Sequence, residues 1–269
     1  ILFSEFLKAG QGKKIDCQEI KGDAPAVIAY TGGTTGKAKG VLLSNRAANT
    51  IAFQYKYADK VLDFQNGECF LDIIPPFLAY GLFLGVHMTL CTCLEDVLCP
   101  DPAPERLPKL FTKYRPNHLS GGPLHMEAMT KDRKIQKMNL SFAKTVAYGG
   151  DGMNQEWEDE MSKFLKSHQA SYGLMKGYGM TEMAGPVCTS NHKFPVMLPF
   201  FCNNIKILDI DTGEELGYDQ EGEICVSGPS MMMEYYKNPE ATREIIFEEN
   251  GTRWLRTGDL GHVTKEGYF

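Results

Sequence analysis

Net positive charge is missing from this chain of 269 residues: 28 lysines and arginines stand against 34 aspartates and glutamates, a formal net charge of −6. A general nucleic-acid binder needs a basic face for the phosphates, so that class is set aside. Paired cysteines are missing too. The eight thiols, at Cys17, Cys69, Cys91, Cys93, Cys99, Cys188, Cys202 and Cys225, form no C-x-x-C pair and have no neighbouring histidine at zinc spacing. Cys91-Thr92-Cys93 comes nearest to a ligand pair and falls short of one. Reduced, mostly buried thiols in a cytoplasmic protein are the expectation. The chain has no internal repeat, no low-complexity segment, no initiator methionine before Ile1 and no signal-peptide pattern.

Charge is also absent from Ile73 to Leu94, a run long enough to span a bilayer. Pro75, Pro76, Gly81, Gly85, His87 and several threonines and cysteines interrupt it, and no basic cluster flanks either end. A buried strand, turn and helix is the more economical reading, with no integral membrane span.

What is present is an alternation of two patterns. Up to about Ser190, apolar runs at Val27–Tyr30, Cys69–Ile74, His118–Ser120 and Thr145–Tyr148 alternate with helical patterns at Arg46–Tyr57, Pro123–Lys131 and Gln155–Ser167. In the last of these, Trp157, Met161, Phe164 and Leu165 share one face, a core stripe. Alternation of this kind predicts an α/β fold: a mostly parallel sheet covered by helices, with ligand loops at the strand carboxyl ends. After Phe194–Phe201, with prolines at 195 and 199, short strands at Asn204–Ile210, Glu223–Val226 and Arg253–Arg256 are separated by turns. Two units are expected: residues 1–200 as an α/β subdomain and residues 201–269 as a small β-rich subdomain, with a nucleotide between them. The length and the 43% hydrophobic content suffice for such a core.

The densest signal runs from Tyr30 to Gly40, YTGGTTGKAKG, directly after the apolar Ala26–Ala29. Its four glycines allow close backbone approach to a ligand. Successive N–H groups in such a loop form a concavity for anions, while Thr31, Thr34 and Thr35 add hydroxyls and Lys37 and Lys39 add charge. A polyphosphate suits this loop. It is not a Walker loop, because Thr31 stands where the first glycine belongs and Ala38 where the magnesium-binding hydroxyl belongs. It is not a Rossmann loop either, because Thr31 again replaces the first glycine.

The loop resembles T-[S/G]-G-[S/T]-T-G-x-P-K-G, the signature of the adenylate-forming enzymes, which include acyl-CoA synthetases, luciferases and peptide-synthetase adenylation domains. Gly32 replaces the common serine and Ala38 the common proline. Three further stretches follow in that family's order. Gly177-Tyr178-Gly179-Met180-Thr181-Glu182 resembles G-Y-G-x-T-E. There, Tyr178 offers an aromatic face for adenine, Gly179 permits a tight turn, Thr181 can donate to a phosphate, and Glu182 is a hard oxygen ligand suited to Mg²⁺. Trp254–Gly261 resembles W-x-x-T-G-D-x-G, and the resemblance implies that Asp259 accepts hydrogen bonds from both ribose hydroxyls. Tyr148-Gly149-Gly150-Asp151 resembles the strand-end G-G-[A/E/D] that lines the nucleotide and acyl pocket. Gly222–Pro229 and Tyr235–Thr242 also match, with Glu234 near a usual glycine, and read as structural. Pro75–Gly81 resembles P-x-F-[H]-x-x-G with Leu78 at the usual ring position and Tyr80 partly filling that space.

The resemblance covers about Ile28 to Phe269 and implies an acid–thiol ligase, most like an acyl-CoA synthetase. A carboxylate would attack the α-phosphorus of ATP to give an acyl-adenylate and pyrophosphate, and CoA would then take the acyl group. It implies nucleotide contacts at Thr31, Gly33, Thr34, Thr35, Gly36, Lys39, Gly149, Gly150, Asp151, Gly177, Tyr178, Gly179, Thr181 and Asp259. It further implies catalytic roles for Thr181, Glu182 and Lys39, with Mg²⁺ on Glu182. Apolar residues around Phe77–Phe83 suit a fatty acyl chain. One alternative is an adenylation domain loading an amino or aryl acid onto a carrier protein, with Asp72 or Asp151 as candidate partner of an ammonium group. Another is a nucleotide-binding module without chemistry. By the same resemblance, the family's N-terminal subdomain and its mobile C-terminal domain are absent, and a weakly active or inactive fragment is expected.

Overall fold

The computed structural model describes residues 2–14, 19–31, 38–58, 62, 64–99, 103–190 and 196–269. A seven-stranded sheet forms its centre: β3 (Cys69–Asp72), β4 (Glu95–Leu98), β5 (His118–Gly121), β6 (Thr145–Tyr148), β7 (Leu174–Met180), β8 (Gly185–Thr189) and β9 (Leu198–Pro199), in the order β4-β3-β5-β6-β7-β8-β9. The pairs from β4 to β7 are parallel, and β8 and β9 extend the sheet antiparallel. Strands β3 and β5 are buried at every position, which is the pattern of a parallel sheet covered on both faces. The chain therefore has the α/β architecture expected of it.

The helices start where the sequence provides caps. Ser44 accepts from the Ala47 N–H at 3.1 Å to open Asn45–Lys56. Asn154 accepts from the Trp157 N–H at 2.9 Å to open Gln155–Ser167, where Glu156 and Glu158 in the first turn and Lys166 in the last complement the helix dipole. Within that helix Met161 and Leu165 are buried against the sheet, while Trp157 and Phe164 flank them half-buried.

One feature departs from the sequence reading. Val27–Tyr30 does not join the parallel sheet. β1 (Pro25–Tyr30) and β2 (Gly40–Ser44) form an antiparallel hairpin in register from Val27↔Leu43 to Tyr30↔Gly40. β12 (Glu234–Tyr235), from the far end of the chain, adds to β2 as a third strand. The uncharged run after β3 is a turn followed by a π-helix, Tyr80–Met88, that continues through Thr89–Cys91. No helix among the described residues is long and apolar enough to cross a membrane. The remaining strands, β10 (Asn204–Leu208), β11 (Gly222–Ser227), β13 (Ile246–Glu249) and β14 (Thr252–Gly261), make an antiparallel sheet in the order β10-β11-β14-β13.

The π-helix lies close on the end of β3, and a buried acid marks the contact. Asp72 is almost fully buried; Oδ1 accepts from the Ile74 N–H at 3.2 Å and Oδ2 has no partner. A side chain at Gly85 would collide with that carboxyl group. Burial first, then the neighbouring charge of Asp96 on β4, pushes the Asp72 carboxyl up to about 7. The folded chain thus holds a proton that the unfolded chain releases near the ordinary carboxylate range. Stability from this site is full in acid and is lost as pH rises to about 7. Asp72→Asn is expected to gain on the wild type in thermal unfolding as pH rises from 4 to 7, with the gap constant above that. A gap that does not change with pH would contradict the assignment.

Candidate functional site

The carboxyl ends of β5, β6 and β7 and the turn after β3 converge on a cavity of about 260 Å³. Leu78, Ala79 and Tyr80 form one wall; Ser120, Ala147 and the Tyr148-Gly149-Gly150 strand end form another; Gly177–Thr181 and Gly185–Pro186 close it. Among the described residues, none that lines it carries a charge. The Tyr80 and Ser120 hydroxyls are hydrogen-bonded at this wall. Burial pushes the Tyr80 phenol up to about 12, so it remains a hydroxyl.

A second cavity of about 430 Å³ lies on the other side of the same strand ends and shares Tyr148, Gly150, Gly177, Tyr178 and Gly179 with the first. It is the more polar of the two, with Asp151, Glu158, Lys176 and Asp259 in its lining. Glu158 pairs with Lys176 at 3.1 Å and accepts from the Tyr148 hydroxyl. Asp259, at the end of β14, is exposed and accepts from the Tyr178 hydroxyl at 2.7 Å. This bond ties the antiparallel sheet to the central one at the cavity mouth. Burial raises the Tyr178 phenol, and its bond to the Asp259 carboxylate raises it further.

The glycines here serve different purposes. Gly150 has φ +83°, a left-handed conformation open to glycine at no cost. Gly179 does not make a turn. It lies within β7 at a register shift, where a methyl group would run into the Gly185 carbonyl and sit 2.5 Å from the Pro186 Cα. The tight turn follows it: Thr181–Met183 is a single 3₁₀ turn ending in left-handed Ala184, φ 58°.

Glu182 sits in that turn, 7% exposed, and accepts from the Tyr235 hydroxyl at 2.6 Å. Lys39 stacks its ammonium over the Tyr235 ring, 4.7 Å from the centroid. The hairpin neck is closed by two bonds, from the Thr31 N–H to the Lys39 carbonyl at 3.0 Å and from the Lys39 N–H to the Thr31 Oγ1 at 3.1 Å. Gly33, Thr34, Thr35 and Gly36, with Gly32 and Lys37, lie outside the described residues. Of the sequence-derived candidates, then, Gly149, Gly150, Gly177, Tyr178, Gly179 and Thr181 line the apolar cavity, and Asp151 and Asp259 belong to the polar one. Lys39 and Glu182 meet at Tyr235. Neither Asp72 nor Asp151 lines the apolar cavity, and Phe77, 76% exposed, does not line it either.

Three participants escaped the sequence reading. Ser120 carries no local signal beyond its place at a strand end, and Glu158 is one of two acids in the first turn of its helix. Tyr235 stood in a stretch read as structural. Its only distinguishing mark was an aromatic among polar residues beside Asn238-Pro239, which caps a helix.

Residues 3–236 match the AMP-binding enzyme family. A probable 4-coumarate–CoA ligase 3 of Dictyostelium discoideum is 30% identical over 253 residues, covering 91% of this chain and 44% of that protein. The long-chain-fatty-acid–CoA ligase of Bacillus subtilis is 30% identical over 251 residues, covering 91% and 43%. The chain thus spans under half the length of the curated relatives it matches. The crystal structure of a long-chain-fatty-acid-CoA ligase from Archaeoglobus fulgidus superposes with a TM-score of 0.85 at 22% identity, covering 98% of this chain and 54% of that one; it shares the fold. With the family matched across all but the last strands, and with two adjoining cavities at the ends of a parallel sheet, this chain belongs to the AMP-binding enzymes.

Proposed function

We propose that this chain forms the ATP- and acid-binding part of an acid–thiol ligase. The acid carboxylate attacks the α-phosphorus of ATP, the bond to the β-phosphate oxygen breaks, and pyrophosphate leaves. In the whole protein the thiol of CoA then attacks the acyl carbon, AMP departs, and a thioester forms. The observation that carries this reading is the pair of cavities sharing one glycine wall. The polar one ends at Asp259, whose two acceptor oxygens suit a vicinal diol. The uncharged one suits the tail of an acid. On this reading Thr181, which lines the uncharged cavity, donates to the phosphoryl group between them. We assign residues 1–200 and 201–269 to the two subdomains that close on the nucleotide. The free cysteines of the described residues fit a reducing, cytoplasmic setting.

Glu182 fits Mg²⁺. Among the described residues, its Oε2 receives no hydrogen bond and it forms no ion pair, so one oxygen is available to a hard cation. Mg²⁺ asks for one or two carboxylates and completes its shell with phosphate oxygens and water. Bound there, it would neutralise charge on the departing pyrophosphate. Lys39 does the same at the hairpin.

The acid is an apolar or aryl one without an ammonium group. A cationic substrate would need an acidic residue in the cavity, and the two acids considered for that role lie elsewhere. Exchange of labelled pyrophosphate into ATP, run with the whole protein and a panel of acids, tests this. Hydroxycinnamic and medium-chain fatty acids are expected to stimulate exchange and amino acids to leave it at the blank. Exchange supported only by amino acids, or by no acid, would overturn the proposal.

A further inference from the structure

The segment Met232–Tyr236 grips both halves of the phosphate site. Its Met232 N–H donates to the Glu182 carbonyl at 2.7 Å, and the Tyr235 hydroxyl donates to the Glu182 carboxylate at 2.6 Å. The same few residues hold the hairpin: the Met233 N–H donates to the Leu42 carbonyl at 2.9 Å and the Tyr236 N–H to the Gly40 carbonyl at 2.7 Å. Strand pairing sets Tyr235 opposite Val41. Tyr235 is itself fixed, 3% exposed, with its N–H on the Thr242 hydroxyl at 3.0 Å.

Between the two charged groups lies one ring. Lys39 covers its face, Glu182 takes its hydroxyl, and no ion pair joins the lysine to the glutamate. A buried carboxylate near an ammonium would otherwise tend to pair with it, which would occupy both the metal ligand and the phosphate contact.

We propose that Tyr235 is a positioning residue for the metal–phosphate step: its hydroxyl orients Glu182 toward the cation and its ring holds Lys39 apart from Glu182. This rests on the ligase reading above. Residues that orient a metal ligand through a hydrogen bond change metal affinity by roughly 10- to 100-fold when removed.

The test uses Mn²⁺ as a paramagnetic stand-in for Mg²⁺ with a non-hydrolysable ATP analogue, read by electron paramagnetic resonance. In Tyr235→Phe the ring stays and the hydroxyl goes. Affinity for Mn²⁺ with the analogue is expected to fall about 10-fold, while affinity for the metal-free analogue is unchanged. Tyr235→Leu removes the ring as well and is expected to weaken both. On a Glu182→Gln background, Tyr235→Phe is expected to add no further loss, because its effect runs through the carboxylate. An unchanged Mn²⁺ affinity in Tyr235→Phe, or losses that add on the Glu182→Gln background, would overturn the role. A purely structural tyrosine would lower the melting temperature and leave the metal dependence alone. Failure of the ligase reading is seen separately, as absence of acid-stimulated exchange in the wild type. Absence of Mn²⁺-dependent nucleotide binding in the wild type would overturn both.

Discussion

Glu182→Gln is expected to lower acid-stimulated pyrophosphate exchange by roughly 10²- to 10³-fold, the size of effect that follows removal of one positioned electrostatic group. Glutamine keeps the shape and retains an acceptor oxygen for the Tyr235 hydroxyl, so the buried hydrogen bond survives. What it removes is the negative charge that, on the proposed reading, draws a hard cation to this turn. The chemical step should suffer and the fold should not: thermal unfolding is expected to stay close to that of the wild type. Raising the Mg²⁺ concentration should recover little, because the cation bound to ATP alone lacks its protein anchor. Exchange within about threefold of the wild type would show that Glu182 holds no metal and that another group does its work.

Gly179→Ala is expected to have the largest effect on the fold. The methyl group would meet the Gly185 carbonyl, and it would sit 2.5 Å from the Pro186 Cα and 2.7 Å from the Gly185 carbonyl carbon. These are backbone atoms of the adjoining strand and cannot rotate away as a side-chain end can. Either β8 moves off β7 or the register slips, and an overpacked position of this kind costs about 3 kcal/mol. For a chain of this size that corresponds to a fall in melting temperature of about 6–12 °C. Both cavities share Gly179, so the nucleotide and acid binding proposed for them should be lost together. Gly152→Ala is the control for stability, since nothing lies within 4 Å of its position. A folded Gly179→Ala with wild-type melting would mean that β7 and β8 are farther apart than described here.

Much of this architecture is legible in the sequence, and the reasons are local. Pro123–Lys131, Thr145–Tyr148 and Gln155–Ser167 have the bounds in the structure that periodicity and caps assign to them. Each is settled by neighbours a few residues away. The hairpin is not legible in the sequence because strand membership is not local. Val27–Tyr30 has the apolar character of a parallel strand, but its partners are β2 and, through β2, a two-residue strand from the other end of the chain. Gly179 reads from sequence as a turn residue, since glycine signals freedom of φ as readily as room for a neighbour. Its actual constraint is a neighbouring strand that no local pattern announces.

The site divides along the same line. Residue types suited to phosphate, diol and cation are visible as motifs, and the fold brings several of them to two adjoining cavities. The contacts between motifs are not visible in this way. Tyr178 and Asp259 are far apart in sequence and hydrogen-bonded in space, and Lys39 and Glu182 meet at the Tyr235 side chain.

The most direct measurement is calorimetric titration of this chain with AMP and with MgATP, comparing the wild type with Asp259→Ala. One site per chain is expected. The variant should bind about 10- to 100-fold more weakly, as loss of a charged hydrogen-bond acceptor to a diol requires. Titration with the 2′-deoxynucleotide should narrow that difference, because one of the two hydroxyls is already gone. No heat of binding in the wild type, or equal affinities in the two proteins, would contradict the assignment of a nucleotide to the polar cavity.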